Sequence, residues 1–144
     1  MAVERVMHQD LNIVGPEDPI RHIATLFDQR ETHHVLVMDN ATLLGIISDR
    51  DLLKAIHPNS FSEIASRSEE GLLNKTANQI MSPKPVCIPI TRSIISAAEL
   101  MLEKGFSALP VVDQAQRVLG IVSLRSITQY FVQRTRDKLR ETKG

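Results

Sequence analysis

The chain has 144 residues, 17 basic and 17 acidic, for a formal net charge of zero at pH 7. That balance removes the simplest electrostatic case for nucleic acid, and the length fits one compact domain or two small halves sharing a core. With 42% apolar but only 3% aromatic residues, the interior must be aliphatic. The lone cysteine, Cys87, has no partner for a disulfide or a zinc pair, which implies a reducing, cytoplasmic setting.

The opening Met-Ala-Val-Glu-Arg-Val-Met lacks the apolar core of a signal peptide, and no run approaches a membrane span. Val3, Val6 and Met7 predict a short leading helix, and Leu11 to Val14 a strand. Asp18 before Pro19 is a helix-start signal, and Ile20, Ile23, Ala24 and Phe27 follow at helical spacing to a helix end near Arg30. His34 to Met38 and Leu43 to Ser48 form a hairpin about the turn Asp39-Asn40, and Asp49 to about Ile56 is helical. The polar stretch from His57 to Thr76 exceeds the usual loop length and reads as a surface excursion. Phe61, Ile64, Leu72 and Leu73 would let part of it form a short helix.

The order strand, helix, strand, strand, helix then recurs: Val86 to Ile88, Ser93 to Lys104, Ala108 to Val112, a turn at Asp113-Gln114, Val118 to Ser123, and a helix from Leu124. Met7 matches Met81, Ile20 matches Ile94, Ala24 matches Ala98, Leu26 matches Leu100, Val37 matches Val111 and Asp39 matches Asp113. The repeat predicts an α+β fold of two β-α-β-β-α half-domains packed with approximate two-fold symmetry. After Tyr130 the chain continues as a basic helix extension, which is usually a solvated face.

The chemistry concentrates where the second strand of each hairpin enters a helix. Ser48 lies at a helix N-terminus, whose unpaired N–H groups and dipole favour an anion. Arg50 adds a permanent charge for phosphate. Ionised Asp51 can accept from both vicinal hydroxyls of a ribose. Taken singly, an N-capping serine and a first-turn carboxylate account for the same residues; their recurrence at Ser123, Arg125 and Ser126 argues for a pair of sites. His33 and His34 face opposite ways on a strand and form no metal set. A phosphate contact from one of them would weaken as pH rises past about 6.5.

These residues carry a family resemblance. Gly45-Ile46-Ile47-Ser48-x-x-Asp51, its second copy ending in Ser126, and Leu109-Pro110-Val111-Val112-Asp113 resemble a tandem CBS domain pair, or Bateman module, named after cystathionine β-synthase. The resemblance implies a first CBS motif over 4–57, a linker over 58–76, a second motif over 77–133 and a basic tail over 134–144. It also implies clefts between the halves that bind AMP, ADP, ATP, S-adenosylmethionine or a cyclic dinucleotide, and a homodimer. Matched residue by residue, Ser48, Arg50, Asp51, Ser123, Arg125 and Ser126 fall at ribose and phosphate positions. Asn12, Ile13, Val86 and Cys87 fall where the family offers contacts to the base, and His33, His34 and Ser107 where it often touches phosphate. Ser126 stands where the family has an aspartate, so unequal sites are expected, the Asp51 site being the tighter.

A nucleotide-sensing regulatory module that signals to a protein target is the leading expectation, with no cofactor required. An interaction module with vestigial clefts is the alternative. Against an enzyme, the chain has no nucleophile motif, P-loop, Gly-x-Gly-x-x-Gly or metal set.

Overall fold

A computed structural model describes residues 1–30, 32–56 and 75–143. The chain divides into two compact units, one of Leu11–Pro85 and the other of Met1–Asp10 with Val86–Gly144.

In the first unit β1 (Ile13–Val14) runs parallel to β2 (His34–Asp39), which is antiparallel to β3 (Thr42–Ser48), which is antiparallel to β4 (Ser82–Pro83). The parallel pair needs a crossover, which α1 (Ile20–Arg30) supplies. Helix α2 (Asp49–Ile56) follows β3, and a short α3 (Ala77–Ile80) precedes β4. Ile20 and Ile23 of α1 pack with Val35, Val37 and Ile47 of the hairpin in a core that excludes water.

The second unit repeats the plan with β5 (Ile88–Pro89), α4 (Ile94–Lys104), β6 (Ala108–Val112), β7 (Val118–Ser123) and α5 (Leu124–Lys143). Ser93 Oγ caps α4 by accepting from Ser96 N at 3.0 Å, and Gly105, at φ 73°, ends it in the left-handed conformation that glycine adopts without a Cβ clash. Ile94, Met101, Leu109, Val111 and Val122 form its core. Both cores are aliphatic, as the composition requires.

The α+β class and the two half-domains are those the repeat predicts. The differences are local. Asp18 does not cap α1: its Oδ2 accepts from Gly15 N at 2.7 Å, closing the turn before the helix. The strand expected over Val86 to Ile88 is instead Ile88–Pro89, and Leu11 lies outside β1. α3 and β4 are too short and polar to show as periodic segments. The short helix expected from Phe61, Ile64, Leu72 and Leu73 lies outside the described residues.

Each half is completed by the segment that precedes the other half in sequence. Val3 N donates to Arg92 O (2.9 Å) and Ile94 N to Met1 O (2.8 Å), tying the leading segment to the second unit. The equivalent bonds, Ala77 N to Asp18 O and Ile20 N to Lys75 O (both 2.8 Å), tie α3 to the first. Val3 and Val6 are buried in the second core, Ala77 in the first. The backbones lie so close that only glycine fits beneath: a Cβ at Gly120 would come within 2.8 Å of His8 O, and one at Gly45 within 2.8 Å of Ser82 O. Gly120→Ala is therefore expected to destabilise the chain by about 1–3 kcal/mol, read as a lower urea midpoint. An unchanged midpoint would mean that the leading segment is not held against β7.

Candidate ligand-binding junctions

The β2–β3 ladder pairs His34 with Ser48, which brings His33 and His34 beside the turn into α2. A bulge between Val37 and Met38 sets this register; without it every later pair would slip by one residue. At the turn Ser48 and Asp51 form a reciprocal capping box. Ser48 N donates to Asp51 Oδ2 at 2.9 Å, and Asp51 N donates to Ser48 Oγ at 3.1 Å. The bland role of these two residues is therefore real. It uses only one carboxylate oxygen: Asp51 Oδ1 has no hydrogen bond among the described residues, and the side chain is half-buried rather than closed off. The exposed guanidinium of Arg50 forms no ion pair among the described residues.

Asp49 is the residue that sequence reading missed. Its Oδ2 pairs with His33 Nδ1 at 3.0 Å and its Oδ1 accepts from Arg50 N at 2.8 Å. Its own N–H donates to His33 O at 3.1 Å. Partial burial pushes this carboxyl up, but the bonds from His33 and Arg50 N–H, with the nearby histidines, hold it below the usual carboxylate value. A signal was present, a second carboxylate beside Asp51 in Ser48-Asp49-Arg50-Asp51, but only the bulged register places His33 opposite it.

Asn12 O accepts from Leu36 N at 2.9 Å, anchoring the start of β1 to β2. Its side-chain Oδ1 is buried without a hydrogen-bond partner among the described residues, a costly state that a ligand donor would relieve. Ile13 is exposed beside it. Through the ladders, Asn12, His34 and Ser48 lie at one end of the β1-β2-β3 sheet, with Asn12 and Ser48 two strand spacings apart, or about 10 Å.

In the second unit the same architecture holds different chemistry. Ala108 pairs with Ser123, and Leu124 N donates to Ser107 O at 3.0 Å. Leu124 and Ser107 stand where the first unit has Asp49 and His33, so that ion pair has no counterpart. Ser126, expected at a ribose position, is instead buried, and its hydroxyl is engaged locally: it accepts from Ser123 N (3.1 Å) and donates to Ser123 O (2.9 Å). Arg125 remains exposed. Val86 is partly exposed and Cys87 half-buried, with burial pushing the thiol up and keeping it protonated at neutral pH. Cys87 lines an open groove of about 330 Å³ with Arg92, Ser96, Glu99 and Glu103, away from Ser123 and Arg125. No group of three or more His, Cys, Asp or Glu among the described residues could hold a metal ion, and no described helix is long and apolar enough to cross a membrane.

The CBS domain family model matches residues 3–58 and 77–133. The chain is 29% identical over 129 residues to arabinose 5-phosphate isomerase KdsD of Francisella tularensis, covering 88% of this chain and 36% of that protein. It is 27% identical over 147 residues to the chloroplastic CBS domain-containing protein CBSX2 of Arabidopsis thaliana, covering 90% and 62%. A crystal structure of CBSX2 in complex with AMP has a TM-score of 0.74 at 28% identity, over 93% of this chain and 98% of that one. The chain thus spans from 24% to 62% of the length of such curated relatives.

His34 gives the first junction a pH dependence. Burial pushes its imidazole below the ordinary value of 6.5, Asp49 pulls it up, His33 pushes it down and Asp51 pulls it up, and the net shift is downward. The charge expected to be lost above about pH 6.5 is therefore already absent there, and any help from this ring to an anion belongs below that value. Above pH 6.5 His34 is neutral whether folded or unfolded. As pH falls below 6.5 the unfolded chain takes the proton first, so stability falls. Asp49, held low, contributes stability that is present above 3.8 and lost as pH drops beneath it. Urea midpoints should decline from pH 7 towards pH 5, and His34→Gln should flatten that decline while leaving the loss near pH 3 to 4. An equal slope in both proteins would remove His34 as its source.

Proposed function

The chain belongs to the CBS domain family, and from that premise we propose that it is a regulatory module that binds an adenine nucleotide, AMP first among candidates, and passes occupancy to a protein target. The observation that carries this reading is a set of unsatisfied polar groups at one end of the first sheet. Asp51 Oδ1 has no described partner, Arg50 forms no described ion pair, and Asn12 Oδ1 is buried without a described donor. A nucleoside monophosphate matches that set. Its ribose hydroxyls donate to Asp51, its phosphate meets Arg50 and the N-terminus of α2, and its exocyclic amine donates to Asn12 across about 10 Å of sheet. The AMP complex of the relative CBSX2 supports the choice of ligand. His33 and His34 border the phosphate end, and Ile13 offers an apolar surface to the base.

In the second unit Ser123, Arg125 and Ser107 are assigned a weaker, anion-centred role, Val86 and Cys87 contacts to the base, and Ser126 the role of a cap. This closed junction favours the second reading, a vestigial cleft, for that half alone. A homodimer is part of the proposal: Ile95 and Leu102, seven residues apart on α4, are 54% and 75% exposed, an apolar line suited to burial against a second copy.

Asp51→Asn keeps an acceptor for the Ser48 cap and removes the charge. It should weaken AMP binding by roughly 10- to 100-fold, whereas Ser126→Ala should change it less than about twofold; isothermal titration reads both. Equal losses from the two variants would contradict the assignment. Leu102→Glu should convert dimer to monomer in sedimentation equilibrium with AMP binding per chain retained, and a wild-type monomer would remove the dimer from the proposal.

A further inference from the structure

Helix α5 runs from Leu124 to Lys143, and every residue described after Tyr130 is exposed. At 3.6 residues per turn, Thr128, Val132, Thr135, Leu139 and Thr142 fall on one line along the helix. Val132 and Leu139 are 45% and 57% exposed. The threonines at the two ends turn their hydroxyls inward: Thr128 Oγ1 donates to Leu124 O at 2.7 Å and Thr142 Oγ1 to Lys138 O at 3.0 Å. Their polar groups are thereby satisfied within the helix. The opposite side of α5 is tied to the leading segment. Tyr130 donates its hydroxyl to Met1 Sδ at 2.7 Å, and Arg134 donates to Tyr130 at 3.0 Å. The stripe therefore points away from the unit it grows from.

The charges are segregated about that line. Arg136, Arg140 and Lys143 flank it on one side, and Lys138 flanks it on the other next to Phe131. None of the four cations forms an ion pair among the described residues. Both acids of the segment, Asp137 and Glu141, fall on the opposite side, where Asp137 accepts from Gln133 at 3.0 Å. A second copy of α5 would set basic flank against basic flank in either direction. Nucleic acid would have no use for Val132 and Leu139 between the cations, and a lipid surface needs a broader apolar face than Phe131, Val132 and Leu139 provide. We propose that the stripe from Thr128 to Thr142 is a docking surface for an amphipathic helix of a partner protein, one whose apolar seam is bordered by acidic residues on both sides. This surface goes beyond the nucleotide reading and does not depend on it.

The probe is a fluorescent helical peptide of about four heptads, with leucine at the seam and glutamate on its flanks; the control peptide carries lysine on its flanks. Anisotropy titration of the full chain should show saturable binding of the acidic peptide, weakening as salt is raised. Leu139→Asp should weaken binding by more than about tenfold, and Arg136→Glu with Lys138→Glu should transfer preference to the lysine peptide. Thermal melting should be unchanged in both variants, because the residues are exposed. The proposal is overturned if the acidic peptide does not bind, or if Leu139→Asp binds it as well as the parent does. It is equally overturned if wild-type self-association is lost in Leu139→Asp, or if a DNA duplex or anionic vesicles bind as tightly through the same residue.

Discussion

The close passage of a main chain over Gly120, and of another over Gly45, is the constraint from which the architecture follows. Backbone can approach a strand this nearly only where a side chain is missing. At Gly120 the approach lets His8 exchange bonds with Ile121 in both directions, 2.8 and 3.0 Å, and at Gly45 it lets β4 join β3. Once those passages exist, Val3 and Val6 can enter one core and Ala77 the other. Within the first hairpin the bulge after Val37 sets the register that brings His33 to Asp49.

The two junctions share geometry and differ in charge. Each has a serine at the helix start and a hydrogen-bonding side chain three residues on, so each is a sound N-terminus. In the first the second member is a carboxylate with one oxygen unbonded among the described residues; in the second it is a hydroxyl that both donates to and accepts from Ser123. Duplication has preserved the structural role at both positions and left a carboxylate at only one. Capping a helix does not exhaust a carboxylate, which has more acceptors than the cap requires.

Much of this was legible in the sequence. The doubled order of elements, the span of α2, and β6 and β7 follow from apolar runs bounded by turn residues. The chain of custody from pattern to structure breaks at two kinds of place. Met7 and Met81 align in the repeat, yet alignment alone does not tell which hairpin each packs upon, because the exchange of leading segments is a tertiary choice with no local signature. The bulges after Val37 and Val111 are the other. Counting back from the turn at Asp39-Asn40 sets Ser48 one residue away from its true neighbour, so the meeting of His33 with Asp49 lies beyond any reading of spacing. The family resemblance sets Asn12 against the base, but the burial of its oxygen without a described partner is a property of packing.

The exchanged leading segment also has a consequence for biosynthesis. Val3 leaves the ribosome well before Arg92 and Ile121, the residues that receive its segment, have been translated. At ordinary elongation rates the interval is on the order of ten seconds, during which the first ten residues must stay uncommitted while the Leu11–Pro85 unit becomes complete. Final closure of the other unit is then the capture of an early-made stretch by late-made strands. Once Pro85 has cleared the ribosome, the Leu11–Pro85 unit can be complete while Val3 and Val6 still lack the core that receives them.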